Sequence, residues 1–350
     1  MTETLRTTEP LIRRVERIQD AMRSAGITPV DMRRAGTLET DVQLPDLGGG
    51  DILEPPTIER LEGVYDQIEQ RPIVRANTTK FTWFIDGSQK TMPIWRVGVV
   101  PIVVSIAVAG LLERLPDGSC RLVPGSLTES VGWIVPQQTN DPDIRKIVSI
   151  LHEMDQDVFD PLDQQENYQQ LAGMYDMVLF YANETAGKMR ERAEFRTISY
   201  WENQISATNP DRWLVIDGRL PVDASNAIGF IKDPRGQHLV GQEALTLLSL
   251  KPGNRTTAYR VTGRSRARTH WYQRMWPATG LDARHSLIRI EANGDLLDSA
   301  EIDEIATWLM AERLPRPTAD GRWPTLLYPV HLLERMLKTR IAQITAGWPV

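Results

Sequence analysis

Residues 81–89 read Phe-Thr-Trp-Phe-Ile-Asp-Gly-Ser-Gln, a run of β-prone side chains that stops at an Asp-Gly pair. Aromatic and β-branched residues favour a packed strand, whereas Asp and Gly are depleted in strands and enriched where strands end. The run therefore predicts a buried strand that delivers the carboxylate of Asp86 to its end.

A second run of the same kind closes with Asp217, since residues 213–218 read Trp-Leu-Val-Ile-Asp-Gly. If both strands lie in one sheet and run in the same direction, Asp86 and Asp217 emerge close together at one edge. Two carboxylates held close repel each other unless a cation lies between them, so the matched pair indicates a metal site. The alternative is that each Asp-Gly pair only opens a turn.

The composition is that of a soluble globular protein. The 350 residues allow one large domain or two ordinary ones. With 41% hydrophobic and 25% charged residues, the disordered and fibrous classes are excluded. The net charge of −6 argues against coating nucleic acid through bulk charge, but it is compatible with a local basic groove.

The cellular setting is predicted to be cytoplasmic, without a membrane. Cys120 is the single cysteine, and the charged first thirty residues lack the apolar segment of a signal peptide. The longest apolar run, residues 97–112, is short for a membrane span and contains Pro101. Its Val and Ile content favours a buried strand, joined to the Asp86 strand by a hairpin through residues 88–93.

Residues 1–75 are predicted to form a helical extension outside the main domain, which spans residues 76–350. Apolar residues at helical spacing indicate an amphipathic helix that ends near Gly26. A loop rich in Gly and Pro follows, and then a second helix over residues 57–71. The apolar face of the extension needs a partner, in the same chain or on another subunit.

The main domain alternates strand and helix signals, which is typical of an α/β fold. Helices are predicted over residues 141–157, 164–206, 298–314 and 326–336, and a strand over residues 287–291. On the long helical block, Glu194 and Glu202 lie on different sides, because eight steps of about 100° separate them. Either could face the two aspartates.

Two basic features follow the second Asp-Gly strand. Lys232 ends a short strand that begins at Gly229. Residues 255–274 are dense in arginine with interleaved aromatic side chains, a pattern that suits a phosphate backbone. Arg264, Arg266 and Arg268 are therefore candidate DNA contacts, with a solvated β-hairpin as the alternative.

Taken in order, these pieces resemble the NurA family of DNA-repair nucleases over roughly residues 78–345. The matching segments are Ile85-Asp86-Gly87-Ser88, Val215-Ile216-Asp217-Gly218-Arg219-Leu220, Gly229-Phe230-Ile231-Lys232, residues 271–274 with 288–291, and Tyr328-Pro329. The resemblance implies an RNase H-like mixed sheet flanked by helices and a manganese-dependent nuclease acting on DNA ends. It also implies a homodimer that works with the hexameric HerA ATPase in repair or in defence against invading DNA.

The resemblance also suggests site residues. Asp86 matches the first acidic position of the family and Asp217 a later one, while Glu194 fits the intermediate glutamate best, with Glu202 as the alternative. Lys232 is a further catalytic candidate. The family places a histidine after Tyr-Pro in an Ala-His pair, but this sequence has Arg335-Met336 there. His331 is the candidate to replace that histidine.

The chemistry follows from the predicted ligands Asp86, Glu194 and Asp217. Carboxylates are hard oxygen donors suited to Mn²⁺ or Mg²⁺, and a pair of such ions can activate water and stabilise the leaving oxygen of a phosphodiester. The chain has no Walker-type phosphate loop, so movement along DNA would need an outside motor. The alternative is a catalytically idle adaptor that docks DNA or the translocase, which the altered histidine position suggests.

Overall fold

A computed structural model describes residues 10–34, 37–39, 56–63, 67–74, 77–221, 223–232, 238–262, 268–293, 298–315, 317 and 322–348. The strands are β1 Val30–Asp31, β2 Ile58–Arg60, β3 Gln70–Pro72, β4 Phe81–Val97, β5 Val100–Arg114, β6 Cys120–Leu122, β7 Thr128–Ile134, β8 Asp157–Phe159, β9 Trp213–Asp217, β10 Ala227–Ile231, β11 Asn254–Thr256, β12 Tyr259–Val261, β13 Arg268–Arg274 and β14 Leu287–Asn293. The helices are α1 Leu11–Ser24, α2 Pro142–Glu153, α3 Tyr168–Ala172, α4 Tyr175–Gln204, α5 Gly241–Leu248, α6 Ser299–Glu312 and α7 Tyr328–Ile344.

The strands form one large mixed sheet flanked by helices, so the predicted α/β class is confirmed. Its main path runs β2-β12-β13-β14-β10-β9-β4-β5-β7-β8. The centre of the path is parallel, since β9 pairs in parallel with both β4 and β10. Most other pairs are antiparallel, as in the β4–β5 hairpin.

Local sequence signals explain where two of the helices begin. The Asp141 side chain accepts hydrogen bonds from the amides of Asp143 and Ile144, and Pro142 fixes the first turn of α2. At α6, Asp298 and Glu301 form a reciprocal capping box. Both helices therefore start close to the predicted positions.

Strand β4 is much longer than the sequence indicates, so the prediction that it ends at Asp86 is wrong. It continues to Val97, and the turn lies at Gly98 and Val99 rather than in residues 88–93. Asp86 and Gly87 pair with Gly110 and Ala109 of β5, so the hairpin ladder runs unbroken past the Asp-Gly pair. Pairing with a long buried neighbour outweighs the local tendency of Asp-Gly to end a strand.

The two faces of the sheet are covered by different helices. Ala107 and Ala109 of β5 pack with α4 residues such as Ala186 and Ala193. The other face carries Phe84 and Val108, which share a core cluster with Leu333 and Leu337 of α7 and with α1 and α2. Because side chains alternate along a strand, each residue of β4 is assigned to the α4 face or the α7 face.

The N-terminal helix packs on the sheet. The predicted helix α1 is present, but its apolar stripe, which includes Leu11, Val15 and Ile18, is buried in the same core as the main sheet. The second predicted helix, over residues 57–71, is wrong. Its described parts form β2 and β3, which pair with β12 and β11. In the predicted loop rich in Gly and Pro, the marker residues Gly48, Gly49, Gly50 and Pro55 lie outside the described residues.

No helix in the described ranges is long and apolar enough to cross a membrane.

Candidate active site

Asp86 and Asp217 lie on adjacent parallel strands, as the sequence predicts. Phe84 pairs with Val215 and Ile85 with Ile216, so the two aspartates are one step further along the same register. Neighbouring strands are about 4.8 Å apart, and residues in register share a face of the sheet. The carboxylates are therefore neighbours at the point where β9 ends and β4 continues.

Both aspartates belong to the α7 face of the sheet. Asp86 is paired with Gly110, and a Cβ at Gly110 would lie 3.3 Å from Leu337 Cδ2 and 3.6 Å from Leu333 Cδ1. Val215, two residues before Asp217, lies in the same core cluster as these leucines. The sequence pattern could not assign this face, because β4 is apolar on both sides.

Asp86 is held in a strongly perturbed environment. It is only 5% exposed, and the Gly87 amide donates to its Oδ1 at 2.8 Å. Burial raises the pKa of the Asp86 carboxyl well above its usual value, and the charge of Asp217 raises it further, while Lys232 opposes both effects. Two carboxylates in one buried site cannot both ionise without compensation. The two carboxylates can therefore both be ionised only if positive charge lies close to them.

Lys232 supplies part of that charge. It follows β10, which runs parallel to β9, and its Nζ donates to Asp217 Oδ2 at 2.6 Å. Both side chains are largely buried. The structure thus brings Lys232 to the two aspartates.

Glu194 reaches the centre from the α4 face. A Cβ at Gly87 would lie 2.7 Å from Glu194 Cγ and 2.8 Å from its Cδ, so only glycine leaves room for this side chain. Arg190, one turn earlier, donates to Glu194 Oε1 at 2.5 Å. Burial raises the pKa of Glu194 to about 7, Arg190 opposes this shift, and the charge of Asp217 reinforces it.

The other two candidates, Glu202 and His331, lie on the helices α4 and α7 that cover the two faces of the sheet. Glu202 lies two turns beyond Glu194, and it is not among the main charges that shift the pKa of Asp86 or of Glu194. His331 lies on α7, where its Nδ1 is buried without a hydrogen-bond partner among the described residues. Arg335 and Met336, which stand at the family's histidine position, are exposed.

Glu334 is a residue of this centre that sequence reasoning missed. It lies on the buried side of α7 with Val330, Leu333 and Leu337, and its charge also raises the pKa of Asp86. A glutamate at an apolar position of an amphipathic helix is the signal that could have identified it. It lies three residues after His331 on α7.

The donor chemistry of the centre fits a hard divalent cation, but the side chains are not arranged around one. In the described part of the chain, no three His, Cys, Asp or Glu side chains form a group that could hold a metal ion. Instead, Lys232 contacts Asp217 and Arg190 contacts Glu194. Metal binding at Asp86, Asp217 and Glu194 would require these two cations to move away, after which the oxygen donors would match Mn²⁺ or Mg²⁺.

The predicted basic surface takes a different form. Arg255 is fully buried between Glu62 and Asp303, and Arg268 is buried and paired with Asp223 at 2.8 Å. The Arg274 guanidinium donates to four backbone carbonyls, those of Leu248, Leu250, Ala283 and His285. The expectation of an exposed, DNA-facing arginine cluster is therefore wrong for the described part of this segment. Arg264 and Arg266 lie outside the described residues.

Two cavities lie away from the carboxylates of the centre. One of about 610 Å³ is lined by the loop after β8 and by Lys188 and Arg192 of α4, and another of about 690 Å³ lies beside α1. None of the carboxylates of the centre lines either of them. The chain matches no protein-family model, and no curated protein matches its sequence.

Proposed function

We propose that this protein is a metal-dependent deoxyribonuclease with an RNase H-like fold, and that its active centre is formed by Asp86, Asp217 and Glu194. The observation that supports this most strongly is the pair of aspartates on adjacent parallel strands, buried together with further acidic side chains. Neither a turn nor a folding requirement accounts for such a pair, because burying like charges costs stability.

The chain's own residues have distinct roles in this proposal. Asp86 and Asp217 provide oxygen ligands, and Glu194 adds a third from the opposite face of the sheet. Bound Mn²⁺ or Mg²⁺, as two ions, would supply an activated water and stabilise the leaving oxygen. Lys232, which contacts Asp217 in the described arrangement, would turn to a non-bridging phosphate oxygen once a metal neutralises that carboxylate.

The proposed substrate is DNA, and the proposed assembly is a homodimer working with a hexameric HerA-type ATPase. The resemblance to the NurA family supports both, as does the lack of a Walker-type phosphate loop in the sequence. The N-terminal helix is not an exposed docking element, because its apolar stripe is buried against the sheet. We therefore assign the ATPase contact to the surface of the main domain. The biological setting would be DNA-end resection in repair or defence against invading DNA.

An idle adaptor is the second candidate, and the ion pairs of the centre favour it. Lys232 and Arg190 already compensate two of the acidic side chains, so the centre balances part of its charge without a metal. In that case the Lys232–Asp217 and Arg190–Glu194 ion pairs would hold the centre together in a protein that only docks DNA or the translocase.

Cleavage assays separate the two candidates. Linear and circular DNA would be incubated with the protein and Mn²⁺ or EDTA, with and without the partner ATPase. The nuclease proposal expects cleavage that requires Mn²⁺ and disappears in Asp86→Asn. Binding of DNA or the ATPase without any cleavage in the full assembly would support the adaptor.

A further inference from the structure

The cavity of about 610 Å³ between helix α4 and the loop that follows β8, the α4 cavity, has the composition of a ligand site. Its size falls within the range of about 300–1,000 Å³ that is usual for small-molecule sites. Aromatic rings, side-chain amides and two cations line it, and Asp86, Glu194 and Asp217 do not. The α4 cavity is therefore separate from the acidic centre.

The two cations lie on one side of α4. Lys188 and Arg192 are four residues apart, so their side chains are neighbours on the helix surface. Both are exposed, and neither side chain makes a hydrogen bond or ion pair with another residue in the described part of the chain. The Arg192 guanidinium lies 5.9 Å from the centre of the Phe159 ring, within the cation–π range of about 6 Å. This contact orients Arg192 and leaves its N–H groups available to an anion.

The cavity also offers groups that could contact a nucleobase. Phe180 and Tyr181 line it and meet edge to face, with their ring centres 5.3 Å apart. Both rings are half-buried, so part of each stays accessible. Gln164 and Gln165 line the opposite loop, and a side-chain amide can both donate to and accept from the edge of a base. Aromatic rings beside cations are the combination that binds nucleotides without strict sequence preference.

The acidic side chains of the cavity limit the charge of its ligand. Asp160 is already engaged, because its Oδ2 accepts hydrogen bonds from the Tyr168 hydroxyl at 2.8 Å and from the Gln137 amide at 3.0 Å. Asp163 and Glu184 also line the cavity and are exposed. Two cations thus stand beside two exposed carboxylates. A ligand with one phosphate suits this balance better than a polyphosphate.

We propose that the α4 cavity binds a nucleoside monophosphate group, as a free nucleotide or as the terminal nucleotide of a DNA strand. Lys188 and Arg192 hold the phosphate, Phe180 stacks on the base, and Gln164 contacts the base edge. The nucleotide does not share a surface with the acidic centre, because Glu194 is two helical steps of about 100° beyond Arg192 and so lies on the other side of α4. The inference goes beyond the proposed function and does not depend on it.

Calorimetric titration of 2′-deoxyadenosine 5′-monophosphate into the full chain, in EDTA, tests the proposal. EDTA removes the metal ions through which a phosphate would bind at the acidic centre. Lys188→Gln and Arg192→Gln should each weaken binding about tenfold or more, because each removes a charge-assisted contact. Phe180→Leu should weaken it too, because it replaces the ring with an apolar side chain that cannot stack. The matched control is Arg196→Gln, since Arg196 is exposed on the same helix but does not line the cavity, and it should bind as the wild type does.

Three results would overturn the proposal. The first is no binding to the wild type, or equally tight binding of deoxyadenosine, which lacks the phosphate. The second is unchanged affinity in both Lys188→Gln and Arg192→Gln. The third is binding that is lost in Asp217→Asn but kept in the two cavity variants, because the nucleotide would then lie at the acidic centre. Failure of the nuclease proposal is seen separately, as absence of Mn²⁺-dependent cleavage while nucleotide binding in EDTA is intact.

A competition experiment distinguishes the two sources of the ligand. A single-stranded oligonucleotide with a 5′-phosphate would be added to the complex with 2′-deoxyadenosine 5′-monophosphate, and the same oligonucleotide without the phosphate would serve as its control. Displacement only by the phosphorylated strand supports the site as a pocket for a strand end. Displacement by neither strand supports it as a pocket for a free nucleotide.

Discussion

The side chain of Glu194 lies directly over the backbone of Gly87, in the space where any other residue would place its Cβ. This contact joins α4 to the strand that carries Asp86, and it explains why glycine follows the aspartate in the middle of a long strand. The Asp-Gly pair resembles a turn signal in the sequence. In the structure its glycine instead permits the close approach of α4 to β4.

Gly87→Ala should displace Glu194 from the centre. A methyl group would lie 2.7 Å from Glu194 Cγ, so the carboxylate must move, at a cost of about 1–3 kcal/mol for overpacking. We expect Mn²⁺-dependent cleavage to be lost while circular dichroism still shows a folded protein. The control is Gly187→Ala on α4, where no atom lies within 4 Å and helix propensity favours Ala. Equal activity in the two variants would exclude Glu194 from the mechanism.

Asp86→Asn and Asp217→Asn should each abolish cleavage without unfolding the protein. Each change removes a ligand charge but keeps the shape, so the loss should exceed the 10–100-fold that outer-shell changes produce. Asp86→Asn should also stabilise the metal-free protein, because it removes a carboxyl that burial and Asp217 disfavour in its charged form. Initial cleavage rates and thermal unfolding without metal provide the two measurements. Full activity in either variant would disprove the shared site.

Lys232→Met should make the thermal stability of the protein depend on added Mn²⁺. Removing one partner of a buried ion pair costs about 3–5 kcal/mol, because Asp217 is left uncompensated beside Asp86. Added Mn²⁺ should restore much of that loss by binding the native state alone. Thermal unfolding with and without Mn²⁺ would show a larger shift for Lys232→Met than for the wild type. Equal shifts would mean that Mn²⁺ does not take over the charge of Lys232.

Glu194→Gln should gain stability over the wild type as the pH rises from about 4.5 to about 7. The pKa of Glu194 is about 7 in the folded protein and near 4.5 when unfolded. The wild type therefore has its full unfolding free energy below pH 4.5 and loses part of it by pH 7, because the unfolded chain ionises Glu194 more readily. The difference in unfolding free energy should approach about 3 kcal/mol above pH 7. Denaturant unfolding at pH 5 to 9 provides the measurement. Glu184→Gln, an exposed change on the same helix, should show no such trend, and a flat profile for Glu194→Gln would contradict the assignment.

Arg274→Lys should affect folding rather than DNA binding. Lysine cannot reproduce a planar guanidinium that donates to four carbonyls, so several buried acceptors would lose their partners, at about 1–3 kcal/mol each. The exposed Arg284→Lys serves as the control. Chemical denaturation should show a large loss of unfolding free energy for Arg274→Lys and none for Arg284→Lys. If Arg274→Lys is as stable as the wild type but changes the salt dependence of DNA binding, Arg274 contacts DNA and this prediction is wrong.

Local patterns along the chain are enough to predict the class of fold and the two central aspartates. Apolar runs of β-prone residues predict the strands that carry Asp86 and Asp217, and helical spacing predicts α1, α2, α4 and α6. These signals are local, because they depend on periods of two or 3.6 residues along the chain. They also fail locally, since the Asp-Gly pair predicts an end where β4 continues.

Contacts between elements that are distant in the sequence determine which other groups join the aspartates. Glu194 and Glu334 come from helices on opposite faces of the sheet, and no sequence period relates them to Asp86. The same limit applies to the arginines of β11 and β13. A basic, aromatic pattern predicts a surface, but the buried acceptors around Arg255 and Arg274 turn those guanidinium groups inward. Whether a charged side chain meets solvent or a partner depends on contacts distant in sequence, and these exist only after the sheet has formed.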